Sequence, residues 1–209
     1  RHLAAQLANT AAREEERPMV KEEIHLTELW PETLHALEHE GALLVTAGRD
    51  GKPNAMTIGW GAIGRIWGRS IFLVLVRPSR YTYALIEDAD DFTVNVLPRG
   101  REENAKLCGT RSGREMDKLA ACGLTPVAAR VVRSPILEEC IIHYECRIVM
   151  KNDVISDALA PEVRKTCYPR GDFHRIYYGE VVAAYADANA RERATGPDRT
   201  QDAPDQSEY

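Results

Sequence analysis

Long apolar runs are missing from this 209-residue chain. The longest unbroken aliphatic or aromatic stretch, Ile71 to Val76, falls far short of the roughly 20 residues a membrane-spanning helix needs, so no membrane partner is expected. A dominant charge is missing as well. Lys and Arg number 27 against 32 Asp and Glu, a formal net charge of −5, which excludes a general nucleic-acid binder while leaving room for local basic sites. Aromatic residues make up only 7%. The five cysteines (Cys108, Cys122, Cys140, Cys146, Cys167) lack paired short spacings, which disfavours a disulfide framework or a zinc ribbon and suits a reducing cytoplasm. No secretory pattern opens the sequence, and no repeat of fixed period runs through it.

What is present, 44% apolar and 28% charged residues, suits one globular domain with a sizeable core. Residues 1–40 read as an N-terminal helical extension, with one helix within the first 20 residues and another over Thr33 to Glu40 that stops at Gly41. Residues 41–186 carry the main domain and 187–209 a polar tail without bulky aliphatic residues, expected to lack stable structure alone. Strands are predicted over Gly41–Gly48 and Ala55–Trp60, flanking an Asp50-Gly51 turn, and over Ile71–Arg77. Ser79 is the expected N-cap of a helix over Arg80–Glu87, and Asp91–Leu97 alternates as another strand. Ser112-Gly113-Arg114-Glu115 matches the capping-box pattern and is expected to open a helix ending near Gly123. Pro126–Val132, Cys140–Met150 and Arg175–Tyr185 read as further strands. Within Cys140–Met150 one parity holds Cys140, Ile142, Tyr144 and Cys146 and the other His143, Glu145 and Arg147. That pattern predicts a half-buried strand whose cysteines are small core residues. Many strands joined by short turns, with helices inserted between some, point to a mainly β fold, an antiparallel closed or partly closed barrel.

Two motifs match strings with known chemistry but fail on context. Gly59-Trp60-Gly61-Ala62-Ile63-Gly64 fits G-x-G-x-x-G, yet it leads toward another strand instead of opening a helix, as a dinucleotide site requires. His35-Ala36-Leu37-Glu38-His39 fits H-x-x-E-H, but no downstream helix offers the third zinc ligand, so a solvated helix face is expected and no metal. Two other segments carry more content. Arg77-Pro78-Ser79-Arg80-Tyr81-Thr82 gathers two guanidiniums and several hydroxyls at a helix start, which suits an anion. Upstream, Met56, Ile58 and Trp60 alternate with Ala55, Thr57 and Gly59, so the small residues expose backbone to which a planar aromatic ring could bond.

Taken in order, Asn54 to Trp60, Arg77 to Thr82, Phe92-Thr93-Val94-Asn95 and Ser112 to Lys118 resemble the flavin reductase-like FMN-binding proteins, in particular the flavoredoxin branch. Leu124-Thr125-Pro126, Glu138 to Cys146 and Tyr178 to Val182 extend the likeness over about Gly41 to Tyr185. The resemblance implies an FMN-binding split β-barrel, antiparallel and homodimeric, with FMN near the subunit interface. It also implies roles: Met56, Thr57, Ile58, Gly59 and Trp60 along the isoalloxazine ring; Ser79, Arg80, Tyr81 and Thr82 on the phosphate; Asn95 at the ribityl or ring region; and Ser112, Gly113 and Lys118 as further cofactor contacts. Asp172-Phe173-His174 only approximates the Gly-Asp-His element of relatives, so no redox role is assigned to His174. The expected function is electron transfer from NADH or NADPH through bound FMN to a flavin, iron or protein acceptor, with no side chain named as an obligatory acid or base. The alternatives are an FMN-binding electron-transfer module without nicotinamide oxidation, or a split barrel that uses a deazaflavin or haem.

Overall fold

A computed structural model describes residues 21–195; the helix expected within the first 20 residues lies outside that range, as does the part of the 187–209 tail beyond 195, whereas residues 190–195 of that tail, expected to lack structure, form a helix because Ala190 and Ala194 pack into the core. A short strand, Glu22–Glu23 (β1), precedes a helix over Trp30–Glu38 (α1). That helix starts ahead of the expected Thr33 because Pro31 fits its first turn, where a missing N–H costs no intrahelical bond. Four strands follow: Ala42–Ala47 (β2), Pro53–Ile58 (β3), Gly61–Ile66 (β4) and Arg69–Val76 (β5). Beyond them come Tyr81–Glu87 (α2), Asp91–Val96 (β6), Glu102–Thr110 (α3), Lys118–Cys122 (α4) and the two-residue strands Pro126–Val127 (β7) and Ile136–Leu137 (β8). The described chain ends with Ile142–Asp153 (β9), Pro161–Cys167 (α5), Arg175–Ala186 (β10) and Ala190–Thr195 (α6).

The fold is the mainly β antiparallel barrel that the pattern suggests, left open along one seam. Strands run in the order β3-β2-β6-β9-β10-β5-β4, with β1 added beside β10. The barrel interior holds Leu44, Met56, Ile58, Phe72, Val74, Phe92, Tyr144 and Tyr177, and α1 and α6 add Leu37 and Ala194 to the same cluster. A second apolar cluster lies outside β2 and β3, where Leu43, Val45 and Ala55 meet Ala105 and Cys108 of α3 and Leu119 and Cys122 of α4. Strand packing is tight at Gly179. A Cβ there would lie 2.4 Å from Phe92 Cζ and 2.7 Å from Cys146 Cβ, closer than any side chain can come.

Strand β9 is buried on both faces at two positions where one exposed face was expected. His143 and Glu145 are 0% exposed, because the connection between β7 and β8 folds over them. The Glu145 carboxylate accepts hydrogen bonds from the main-chain N–H groups of Arg130, Val131 and Val132 (2.7, 2.7 and 3.0 Å) and from the Tyr185 hydroxyl at 2.7 Å. Asp91 accepts from the N–H groups of Arg133 and Ser134, each at 2.9 Å. This is why the strand expected over Pro126–Val132 does not extend to Val132: the N–H groups of residues 130–134 bond to carboxylates and not to a neighbouring strand.

In the same layer Asn95 Oδ1 accepts from Leu137 N–H at 3.3 Å and lies 2.8 Å from His143 Nδ1. The other ring nitrogen, Nε2, is buried without a partner. Burial pushes the His143 pKa down to about 3, with Lys21 and Arg130 acting in the same direction against a main-chain hydrogen bond at Cys140. From about pH 6.5 down to about 3 the unfolded chain therefore binds a proton that the folded chain does not. Stability falls as the pH is lowered through that window by about 1.4 kcal/mol per unit from this group. Denaturant titrations at pH 6, 5 and 4 should show that slope, and His143→Gln should reduce it by about that amount. An equal slope in the variant would contradict the assignment.

Candidate functional site

A cleft lies at the seam of the barrel. Strands β3 and β4 end the sheet on opposite sides although only Gly59 and Trp60 separate them in sequence. Beside β3 and this link opens a cavity of about 410 Å³, lined by Met56, Thr57, Ile58, Gly59, Trp60, Leu75, Arg77, Ser79, Arg80 and His174. Its volume lies within the range of small-molecule sites. An adjoining cavity of about 70 Å³ shares Met56, Ser79 and Arg80 and adds Tyr81, Thr82, Cys108, Thr110, Arg111, Ser112, Gly113 and Lys118. Every residue assigned to the cofactor by resemblance lines one of these spaces, except Asn95. Its side chain is consumed in the buried layer beside His143, so it does not reach the cleft.

The alternation read from Ala55 to Trp60 places these groups. Met56 and Ile58 face the barrel core, and Ala55 packs against the outer helices. Thr57 donates its hydroxyl hydrogen bond to the Ala105 carbonyl of α3. Trp60, 43% exposed, forms a lip over the cavity, its ring 5.0 Å from His174 and 6.2 Å from Tyr168.

The small cavity is cationic and rich in hydroxyls, and among the described residues no carboxylate lines it. Arg80 donates to the Gly109 carbonyl, and Lys118 Nζ donates to the Cys108 carbonyl at 3.0 Å. Burial holds the Lys118 pKa below the usual lysine range; Cys108 opposes the shift and Arg80 adds to it. Thr82 accepts from Asn54 Nδ2 at 2.9 Å, which leaves its own hydroxyl hydrogen for the cavity. Main-chain N–H groups of Tyr81 and Thr82, in the first turn of α2, have no acceptor within the helix.

Two local expectations are corrected. Ser79 is not the N-cap of α2; Arg80 holds that position without a side-chain cap. Ser79 instead donates its hydroxyl and its N–H to the Asp172 carboxylate, at 2.6 and 3.2 Å, a contact across 93 residues. The capping box at Ser112 does not open a helix either. Ser112 Oγ accepts from Arg114 N–H at 3.2 Å in a tight turn, and Asp117 caps α4 by accepting from Ala120 N–H at 3.1 Å.

The residues that sequence reasoning left out come from the excursion between β9 and β10. Arg77 donates to the carbonyls of Cys167 and Asp172 at 3.0 and 2.9 Å and lies over the Tyr168 ring at 5.0 Å. Tyr168 Oη is 2.8 Å from His174 Nδ1. Burial draws the His174 pKa down to about 4; Arg77 adds to the shift and Asp172 opposes it, so the ring is neutral at pH 7 and offers one donor and one acceptor nitrogen. The imperfect Asp172-Phe173-His174 element was the available signal. Tyr168 had none. Apart from this site, the His35 and His39 rings lie 4.1 Å apart on α1, and among the described residues no group of three His, Cys, Asp or Glu side chains could hold a metal ion.

A planar aromatic group carrying a phosphate fits these observations. The larger space offers an exposed strand edge and an aromatic lip, and the smaller one cations and hydroxyls free of acids. Comparison with known proteins shows the family and the fold. A family model described as the flavin reductase like domain matches residues 37–199. An uncharacterized protein of Archaeoglobus fulgidus is 32% identical over 131 residues, which are 63% of this chain and 64% of that one. The matches span between 48% and 64% of the length of the curated relatives. Among solved structures, the chain is similar to the flavoredoxin of Desulfovibrio vulgaris (Miyazaki F), with 25% identity, 71% and 70% of the two chains covered and a TM-score of 0.57. It also shares its fold with the FMN-binding domain of a flavin reductase-like enzyme from Shewanella baltica, at 18% identity, 82% and 80% coverage and a TM-score of 0.59.

The turn at Gly113 is the tightest point of the small cavity. A Cβ there would lie 2.3 Å from Asn54 Oδ1 and 2.8 Å from Tyr81 Cδ1. Gly113→Ala is therefore expected to destabilise the protein by about 1–3 kcal/mol through overpacking, read as a lower denaturation midpoint, whereas Gly64→Ala, with open space around it, serves as the control. Equal midpoints for the two variants would refute the close approach.

Proposed function

The chain belongs to the flavin reductase-like domain family, and from that premise we propose that it is an FMN-binding oxidoreductase of the flavoredoxin type. The observation that carries this reading is the acid-free cavity around Arg80 and Lys118, continuous with the shelf from Met56 to Trp60. Bound flavin would supply the redox chemistry, accepting hydride from NADH or NADPH and releasing electrons to a flavin, iron or protein acceptor. The chain's own residues bind and orient. Arg80, Lys118, Ser112 and Thr82, with the N–H groups of Tyr81 and Thr82, hold the phosphate. Gly113 lets the main chain approach it, and Ser79 borders it while bonded to Asp172. Met56 to Gly59 present main-chain groups to the ring, and Trp60 covers one edge. His174, neutral and tethered to Tyr168, presents a ring nitrogen to the same chamber.

A homodimer in the cytoplasm completes the proposal. The five cysteines are all free thiols. Directly paired positions Ala62, Leu73, Tyr178 and Met150 form an incompletely buried apolar row across β4, β5, β10 and β9, and light scattering should return twice the 23.4 kDa chain mass.

The cofactor assignment is tested by titrating FMN into the purified protein and following flavin absorbance and fluorescence. Arg80→Ala should weaken binding by about 1.5–3 kcal/mol, the scale of a hydrogen bond to a charged group; unchanged affinity would remove Arg80 from the phosphate site. Stopped-flow mixing of the FMN-loaded protein with NADH and with NADPH then separates the reductase from a passive electron carrier. Bleaching of the flavin band by either nucleotide supports the reductase, and no bleaching by both leaves the carrier.

A further inference from the structure

Two of the buried cysteines face each other beside the cationic cavity. Cys108 of α3 and Cys122 of α4 are 1% and 7% exposed, with their sulfurs 3.9 Å apart. No other pair of cysteine sulfurs among the described residues is in such contact. We propose that Cys108 and Cys122 are a modification site, a dithiol that closes to a disulfide under hydrogen peroxide and thereby clamps the loop that shapes the cationic cavity.

Position carries the argument. The segment contributes Thr110, Arg111, Ser112, Gly113 and Lys118 to the cavity, and all of them lie between the two cysteines. A bond at its ends closes this segment into a ring. The sulfurs need to approach by roughly 2 Å to reach bonding distance, and each already rests on a fixed frame: Lys118 Nζ donates to the Cys108 carbonyl at 3.0 Å and Asn104 Nδ2 to the Cys122 carbonyl at 2.9 Å. Cys108 lines the cavity, so the cavity offers a small oxidant a route to the pair.

The chemistry balances. The Cys108 thiolate attacks one peroxide oxygen, the O–O bond breaks, and the displaced hydroxide takes up a proton to leave as water. The resulting sulfenic acid is attacked by the Cys122 sulfur, the S–S bond forms, and a second water departs. In sum two thiols lose two hydrogens and peroxide is reduced to two waters. Burial, reinforced by Cys122 and opposed by Lys118, pushes the Cys108 pKa up to about 12. Closure therefore accelerates by about tenfold per pH unit between pH 7 and 9, as the thiolate fraction grows.

The crosslink stands on the sulfur geometry alone, and only its consequence for cofactor retention rests on the FMN reading. The full chain is treated with hydrogen peroxide, blocked with an alkylating reagent, and mapped by mass spectrometry without reduction. The expected product joins the Cys108 and Cys122 peptides with the loss of two hydrogens, while Cys140 and Cys146 are recovered as thiols. Amide exchange across residues 109–117 should slow by about tenfold in the oxidised protein, because a tethered loop has fewer open states. Cys122→Ser, and Cys122→Ala should the first fold poorly, should abolish both effects. Recovery of Cys108 and Cys122 as alkylated thiols after oxidation overturns the proposal, as does a crosslink that leaves loop exchange unchanged. FMN titration of the reduced protein is a separate arm: failure to bind there removes the flavin reading and leaves the crosslink result to stand by itself.

Discussion

Strands β3 and β4 are neighbours in the chain and strangers in the sheet. Had they paired, the barrel would have closed and the space between Met56 and His174 would not exist. The Gly59-Trp60 link instead sends β4 away to hairpin with β5, and β3 keeps one edge unpaired. An exposed edge ordinarily invites unwanted strand pairing. Here it borders a cleft walled by Leu75, Arg77 and His174, so its free N–H and C=O groups are available to a planar ligand with donors and acceptors on its rim.

An open seam is tolerable only if the rest of the barrel is stiff, and the far side is held by buried carboxylates. Asp91 and Glu145 accept main-chain N–H groups from consecutive residues of the β7–β8 connection, bonds that involve a charged acceptor and are stronger than neutral ones. They turn a loop into a lid that buries the second face of β6 and β9. The lid also explains Asn95. On a strand with one wet face it could serve a ligand; beneath the lid it bonds to Leu137 and His143.

The barrel was legible where local pattern and tertiary packing agree. Alternation from Ala55 to Ile58 sets Met56 and Ile58 on the core face, but Ala55 and Thr57, expected to expose backbone, pack on the outer helices and Trp60 leaves the core; the Asp50-Gly51 pair lies in the turn joining β2 to β3. Misreadings cluster where a distant group decides. Ser79 fails as a cap because Asp172, far along the chain, takes both of its donors. Ser112 fails because the close packing of Gly113 on Asn54 and Tyr81 favours a turn over a helix. Helix α3 gave no signal at all, since Ala105 and Cys108 are its only buried residues and neither is large. Strand β4, Gly-Ala-Ile-Gly-Arg-Ile, is disguised by glycines that read as loop. The contact between Cys108 and Cys122 was equally invisible, because it depends on how α3 and α4 pack.

Arg77 and Arg80 look interchangeable in the sequence and are not. The guanidinium of Arg77 is committed to the Cys167 and Asp172 carbonyls, so it fixes the excursion that carries Tyr168 and His174, and its charge helps to keep His174 unprotonated. Arg80 bonds to Gly109 at the base of the Ser112 loop, and its charge serves the small cavity. Between them the Asp172 carboxylate already holds the donors of Ser79. A second anion beside it would meet a like charge in a half-buried setting, a repulsion that bulk water would largely screen but a cleft does not. The favourable position for a phosphate is thus displaced toward Lys118, away from Asp172. Under the proposed function, that separation would orient the cofactor with its charged end under Arg80 and Lys118 and its flat end along Met56 to Trp60, beside His174.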